Sequence, residues 1–207
     1  MLRRTWISAL ALAAAAVAVP AARAEAVAAD VFVKQVSNDV IDGVKADKAI
    51  QAGDVSRIRT LVDSKVMPHV NFQRMTGMSV GPQWRSATPE QQKRMLEEFK
   101  TLMVNTYAGA LTQVKDQVVV VKPLRTASEG DQVVRTEVRG RGEPIQLDYR
   151  VEKAGDGWKI YDVNVGGFWL VEAYKGQFAK DLSGGGLDSL ITRLAEKNKA
   201  TNAPQKN

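Results

Sequence analysis

The chain has 207 residues, of which 44% are hydrophobic and 25% charged, with no cysteine, one histidine and a formal charge of +6. That is the ordinary globular balance, so wholesale disorder, a collagen-like repeat and a polytopic membrane protein are disfavoured. Without cysteine there is no disulfide, thiol nucleophile, zinc-thiolate site or lipid-modified cysteine, and a lone histidine argues against most metal centres; what remains is a carrier, a binding module, or an enzyme working with carboxylates, tyrosines and hydroxyls.

Residues 1–24 read as a cleaved secretory signal. Arg3 and Arg4 form a positive start, Ile7 to Val19 is an apolar and small-residue run, and Ala22-Arg23-Ala24 is an A-x-A cleavage motif before Glu25. A membrane anchor needs about 17–25 apolar residues, more than this run supplies. Two arginines also fit the twin-arginine route, but no cofactor site calls for folded export, so a Sec-type signal is expected. Cleavage would remove three arginines and no acid, lowering the charge from +6 to +3. Bases and acids are interspersed along the rest, without the basic stripe of a nucleic-acid binder. The cluster Arg135-Arg139-Arg141, beside Glu137 and Glu143, reads as a solvated strand face.

One domain is expected over residues 25–199. From Val27 to Ile50, Phe32, Val36, Val40 and Val44 recur every four residues and predict an amphipathic helix. Gly53-Asp54 breaks it, and Ile58, Leu61, Val62 and Val66 mark a second helix closed by Pro68. Phe72, Met75 and Met78 then share a face before Gly81-Pro82. Thr88-Pro89-Glu90-Gln91 combines an N-cap, proline at the first helical position and a capping-box glutamine, which opens a long helix to about Gln113. Its face carries Met95, Phe99, Leu102, Met103, Thr106, Ala110 and Leu111, with Tyr107 alongside.

The period then changes to two. Gln117 to Leu124, Asp131 to Arg139, Ile145 to Glu152 and Gly157 to Val165 predict four strands of an antiparallel meander, joined by glycine-bearing turns. On the fourth strand the two faces, Trp158-Ile160-Asp162-Asn164 and Lys159-Tyr161-Val163-Val165, each change character partway. Helical spacing returns with Leu170, Tyr174 and Phe178, stops at Gly184-Gly185-Gly186, and resumes through Leu187, Leu190, Ile191 and Leu194. Residues 200–207 have no apolar anchor and are expected to form a flexible tail. The order of elements predicts an α+β fold, a four-stranded antiparallel sheet packed on one face by N- and C-terminal helices.

His69, after Pro68, suits a helix end and has no nucleophile motif near it, so its simpler reading is structural. Asp162 with Tyr149 or Tyr107 in an apolar pocket would resemble a proton-transfer site; the simpler reading is an aspartate that caps backbone or pairs with an arginine. The glycine runs lack the lysine and context of a phosphate loop. Phe72, Met75, Met78, Met95, Phe99, Met103, Tyr107, Tyr174 and Phe178 supply adaptable bulk, which fits either an ordinary core or the lining of an apolar cavity.

Five segments carry a resemblance: Val66-Met67-Pro68-His69-Val70-Asn71-Phe72, then Gly81 to Gln91, Phe99 to Ala108, Gly157 to Val163, and Leu170 to Phe178. In that order and spacing the chain resembles the MlaC family of periplasmic phospholipid-binding proteins, also called the toluene-tolerance auxiliary family, from about Val31 to Asn198. It departs from the family at Asn71, where aspartate is usual, at Lys175, where arginine is usual, and at Gly166, Phe168 and Trp169, where an acid, an aliphatic residue and a serine are more common. The resemblance implies a soluble, non-enzymatic, monomeric periplasmic carrier, with phospholipid as cargo and no cofactor or metal. It implies partners too: an outer-membrane lipoprotein–porin complex and an inner-membrane ABC transporter bearing an MCE-domain protein, between which the carrier shuttles lipid to maintain outer-membrane asymmetry.

Physics asks the same of such a carrier. Two acyl chains hold roughly 28 methylenes, and at about 0.8 kcal/mol each their exposure to water costs on the order of 20 kcal/mol, so a dry cavity must enclose them. The lining expected for it is Phe72, Met75, Phe99, Met103 and Tyr107 on the helices, Leu147, Tyr149, Val163 and Val165 on the sheet, and Leu170, Tyr174 and Phe178 on the returning helix. Two other readings compete: a proton-transfer enzyme using Asp162, and a periplasmic chaperone offering the same apolar surface to hydrophobic polypeptides.

Overall fold

The structure is a computed structural model that describes residues 27–123 and 130–202; the proposed signal segment and residues 203–207 of the expected tail lie outside the described residues. The chain opens with α1 (Ala29–Ala46), α2 (Lys48–Gln51) and α3 (Val55–Leu61). The single helix expected to Ile50 is divided at Asp47, whose backbone is extended and whose carboxylate accepts from the Ala49 and Ile50 N–H groups at 2.9 and 3.4 Å. An aspartate that caps a new turn competes with continuation of the old one. Asp54 caps α3 the same way, on Ser56 and Arg57. Beyond Leu61 the helix widens into a π-type turn at Val62–Val66 and tightens at Met67–His69 around Pro68, which cannot donate to a continuing helix.

Next come α4 (Phe72–Val80), α5 (Gln83–Ser86) and α6 (Pro89–Thr112). Asn71 caps α4 through Arg74 N–H at 3.0 Å and donates its own amide to Glu152 at 2.6 Å. An aspartate here would set like charges together, so asparagine suits this neighbour. Arg74 pairs with Asp131 at 2.7 Å and with Glu152, and lies 3.6 Å above the Tyr161 ring, which ties α4 to the sheet. The capping box is formed as expected: Gln91 N–H donates to Thr88 Oγ1 at 3.2 Å and Thr88 N–H to Gln91 Oε1 at 2.9 Å.

The strands are β1 (Val118–Val121), β2 (Gln132–Val134), β3 (Thr136–Arg139), β4 (Ile145–Ala154), β5 (Gly157–Val165) and β6 (Phe168–Trp169). All pair antiparallel, in the order β1-β3-β4-β5-β6 with β2 also on β4. The class is the α+β fold expected, but the sheet has six strands where four were expected. The strand expected over 131–139 is interrupted at Arg135, because side chains replace the ladder there: Thr136 N–H donates to Asp148 Oδ1 at 3.1 Å and Thr136 Oγ1 to the Leu147 carbonyl. The added sixth strand follows a tight turn at Gly166-Gly167, where both residues have positive φ.

The mixed faces of the fourth expected strand have a cause. Arg150 pairs with Asp162 but Val151 with Ile160, so Tyr161 is an extra residue, a β-bulge that reverses the alternation. Trp158, Ile160, Val163 and Val165 therefore share an inner face with Leu147, Tyr149 and Val151, while Lys159, Asp162 and Asn164 share the outer one.

Finally, α7 spans Leu170–Asn202 and kinks at Gly186, where φ is 68°. The break expected at the glycine triplet is there, but the helix continues through Ala200–Asn202, part of the stretch expected as tail. Among the described residues no helix is long and apolar enough to cross a membrane. Removing the Thr88 hydroxyl (Thr88→Ala) is expected to cost about 1 kcal/mol and to lower Tm by roughly 2–4 °C, read by calorimetry; an unchanged Tm would mean that the capping box contributes nothing to stability.

Candidate functional site

The apolar side chains do not merge into one core. A helical cluster joins Met75, Phe99, Leu102, Leu170, Tyr174 and Phe178 with residues of the far end of α7. A second cluster seals α1 onto the inner face of the sheet through Val33, Val36, Val134, Tyr149, Val151, Trp158 and Ile160. A third packs α1, α2 and α3 against α6 at Ile50, Ile58, Leu61 and Val104.

Between the first two clusters runs a seam of half-buried apolar residues. Phe72, Met103, Tyr107, Val163 and Val165 pack against the helical cluster, and Leu147 and again Val163 against the sheet cluster. Close packing normally closes such a position completely. Here the two apolar clusters share Val163, and each carries further side chains that keep part of their surface open, the arrangement an apolar guest can fill.

Ten of the twelve expected lining residues lie in or against the helical cluster: Phe72, Met75, Phe99, Met103, Tyr107, Val163, Val165, Leu170, Tyr174 and Phe178. Four of them form one aromatic group. Phe99 has its ring centroid 5.5 Å from Phe72, 4.9 Å from Tyr174 and 5.3 Å from Phe178, mostly edge-on, with no exposed surface of its own. It is the post on which the wall stands, and Phe72 is the half-buried face of that wall. Burial pushes the Tyr174 hydroxyl up to about 12, beside Thr106 and Tyr107, so it stays protonated and able to donate.

Leu147 and Tyr149 belong to the sheet cluster instead. Tyr149 is buried under α1, with its hydroxyl 3.3 Å from Ser37 Oγ and likewise pushed up to about 12 by burial. It seals the α1 contact more than it lines the seam. The half-buried residues that sequence reasoning passed over are Phe32, Val70 and Val121. Phe32 was visible on the i, i+4 face with Val36, and its ring meets His69 edge-on at 5.8 Å. Val70 sits in an irregular segment that bridges to Ile160, where no periodicity could show it. A separate groove of about 650 Å³ beside Trp84, Arg74 and Met78, outside the α4–α5 corner, includes none of the twelve.

Asp162 is fully buried on the outer face of the sheet, opposite to Tyr149. Its carboxylate pairs with Arg150 at 2.9 Å and accepts from Val163 N–H and from Val171 N–H, in the first turn of α7, at 2.9 and 3.0 Å. It is the capping and pairing aspartate, and the proton-transfer constellation with Tyr149 is not assembled. Desolvation raises its pKa above the usual carboxylate value, against the lowering effect of those bonds. Among the described residues no group of acids and histidine is placed to hold a metal ion.

Comparison with known proteins gives consistent matches. A family model described as MlaC protein matches residues 34–196. The intermembrane phospholipid transport system binding protein MlaC of Haemophilus influenzae is 23% identical over 171 residues, 80% of this chain and 80% of that protein. The toluene tolerance protein ttg2D of Pseudomonas putida is 32% identical over 130 residues, 59% of this chain and 60% of that protein. Among solved structures, a phospholipid-binding protein from Ralstonia solanacearum in complex with a phospholipid is 43% identical, covers 86% of this chain and all of that one, and superposes with a TM-score of 0.83.

The Asp162 arrangement has a testable pH signature. A carboxyl whose folded pKa exceeds its unfolded value of 3.8 binds its proton more tightly when folded, so its contribution to stability falls as pH rises through the folded pKa. Asp162→Asn removes that titration: in urea melts from pH 3 to 7, the difference in stability between wild type and variant is expected to shift towards the variant as pH rises, and a difference constant with pH would contradict the assignment.

Proposed function

The chain belongs to the MlaC family, and on that premise we propose that it is a periplasmic phospholipid carrier, without catalytic role, that encloses the acyl chains in the seam between its sheet and its helices. The observation that carries this reading is the seam itself: two apolar layers facing one another through half-buried Phe72, Met103, Tyr107, Leu147, Val163 and Val165. The solved relative described above was captured with a phospholipid, which supports the same cargo here.

The energetics define how such a carrier works. Enclosing two chains offsets an exposure cost on the order of 20 kcal/mol, so apolar contact supplies the affinity while the headgroup stays near water. Methionine, unbranched and polarizable, re-packs around chains of different length, which suits Met75 and Met103 to the wall. Spontaneous escape of lipid into water is prohibitively slow at that cost, so loading and release take place on docking, when an apolar channel of a membrane complex continues the seam. The partners in this reading are an outer-membrane lipoprotein–porin complex and an inner-membrane ABC transporter with its MCE-domain protein, between which the carrier maintains lipid asymmetry.

Native mass spectrometry of the purified protein with lipid extraction tests the cargo: a co-purifying diacyl phospholipid is expected, and a lipid-free protein would overturn the reading. Filling the seam tests the site. Met103→Trp and Tyr107→Trp are each expected to cut lipid occupancy severalfold in a protein that keeps its circular dichroism; full occupancy in both would move the cargo elsewhere.

A further inference from the structure

On the outer face of the sheet, turned away from the seam, we propose a second binding site, a groove for an acidic saccharide. A row of polar side chains crosses the strands here. It starts at Lys122 and Arg135, joined by a backbone hydrogen bond of 2.9 Å, continues through Gln146 and Asp148 on β4 and Asn164 on β5, and ends at Trp169 on β6. These residues line a groove of about 500 Å³, within the ~300–1,000 Å³ typical of small-molecule sites.

The floor of the groove is built rather than merely solvated. Asp148 and Asn164 face each other in register and are 4% and 5% exposed. Asp148 accepts from Thr136 N–H at 3.1 Å through one oxygen and from the Gln146 amide at 2.5 Å through the other. Asn164 Oδ1 accepts from Gly167 N–H at 2.9 Å, which fixes the amide and leaves its Nδ2 donors without a partner among the described residues. At one end stands the Trp169 indole, held by the Arg150 guanidinium 4.0 Å over the ring. At the other end Lys122 is paired with Glu137, while Arg135 has no carboxylate partner among the described residues.

That set selects a ligand class. Sugar hydroxyls donate and accept at once, and they need fixed groups of both kinds: the free lone pairs of Asp148 and the Gln146 carbonyl accept, and Asn164 Nδ2 and Arg135 donate. The C–H face of a pyranose ring packs on an indole. A bare phosphate is a poor match, because the Asp148 carboxylate in the floor repels it. A carboxylate carried by the sugar avoids that repulsion by pointing to Arg135, a planar donor suited to bidentate pairing.

The test is titration of the ¹⁵N-labelled protein with the disaccharide N-acetylglucosaminyl-N-acetylmuramic acid, with neutral chitobiose and with inorganic phosphate. Saturable shifts of the Trp169 indole N–H and the Gly167 amide are expected with the acidic disaccharide, about tenfold weaker binding with the neutral one, and neither shift with phosphate. Arg135→Ala, an exposed and unpaired position, is expected to erase the tenfold difference, and Trp169→Ala to abolish both responses. Bound phospholipid, measured in parallel, stays unchanged in the Arg135 variant. No saturable shift with either sugar, equal affinity for the two sugars, or the same shifts with phosphate would overturn the proposal.

Discussion

One extra residue in β5 governs how the two sides of this protein divide their work. A strand of strict period two would place Asp162 and Asn164 on the same face as Trp158 and Ile160. The bulge at Tyr161 prevents this. It lets four apolar side chains of β5 join the inner face and sends the buried aspartate to the outer one, where its carboxylate meets both Arg150 and the first turn of α7. The extra residue is itself held, by the Arg74 guanidinium over its ring and by the Asp131 carboxylate at 3.1 Å from its hydroxyl. The bulge is thus tied both to the start of α4 and to the start of α7.

The seam between the two apolar layers costs the domain stability that a closed core would supply. A half-buried Phe72 or Met103 forgoes part of the roughly 1.5–3 kcal/mol that full burial of such a side chain contributes. The fold bears this because its load rests elsewhere, on a fully buried Phe99, on the contact of α1 with the sheet and on the separate cluster that fixes α2 and α3. A site of this kind is stiff at its supports and open only along the join, which lets the layers part without unfolding either. In the proposed reading, a lipid bound there would recover the forgone burial and stabilise the loaded form by mass action.

How much of this was legible from the sequence follows from whether the controlling interaction is local. The capping box at Thr88 and Gln91, the break around Pro68 and the kink within the glycine triplet depend on neighbours along the chain, and each appears where residue chemistry placed it. The alignment of Tyr174 with Phe178 was legible because helical spacing puts them on one face, whereas their meeting with Phe99 of α6, and its stacking on Phe72 of α4, are tertiary contacts that spacing along the chain does not give. The faces of β5 were not, since a bulge is a property of two strands and only pairing with β4 reveals the slip. Nor was the interruption at Arg135, which depends on a side-chain bond from Asp148 twelve residues from Thr136. The alternation of β4 gives the face of Tyr149 but not its depth, and the packing of α1 through Ser37 buries it.

Arg150 shows how the two faces of the sheet remain distinct yet connected. Its guanidinium reaches the Asp162 carboxylate and covers the Trp169 ring, and Asp162 in turn accepts from Val171 at the head of the helix that carries Tyr174 and Phe178. Both contacts use the same planar group, one through an N–H donor and one through its π-face. Lysine would retain the charge but, as a compact and strongly hydrated ammonium, would not serve the ring and the carboxylate together. One of the two contacts would then be lost, and where it is the one to Asp162, the buried acid keeps only backbone donors against its desolvation. What holds the outer aromatic end of the groove in position also pairs the buried carboxylate that caps α7, and so the head of the helix that carries Tyr174 and Phe178 rests on a cation on the other side of the sheet.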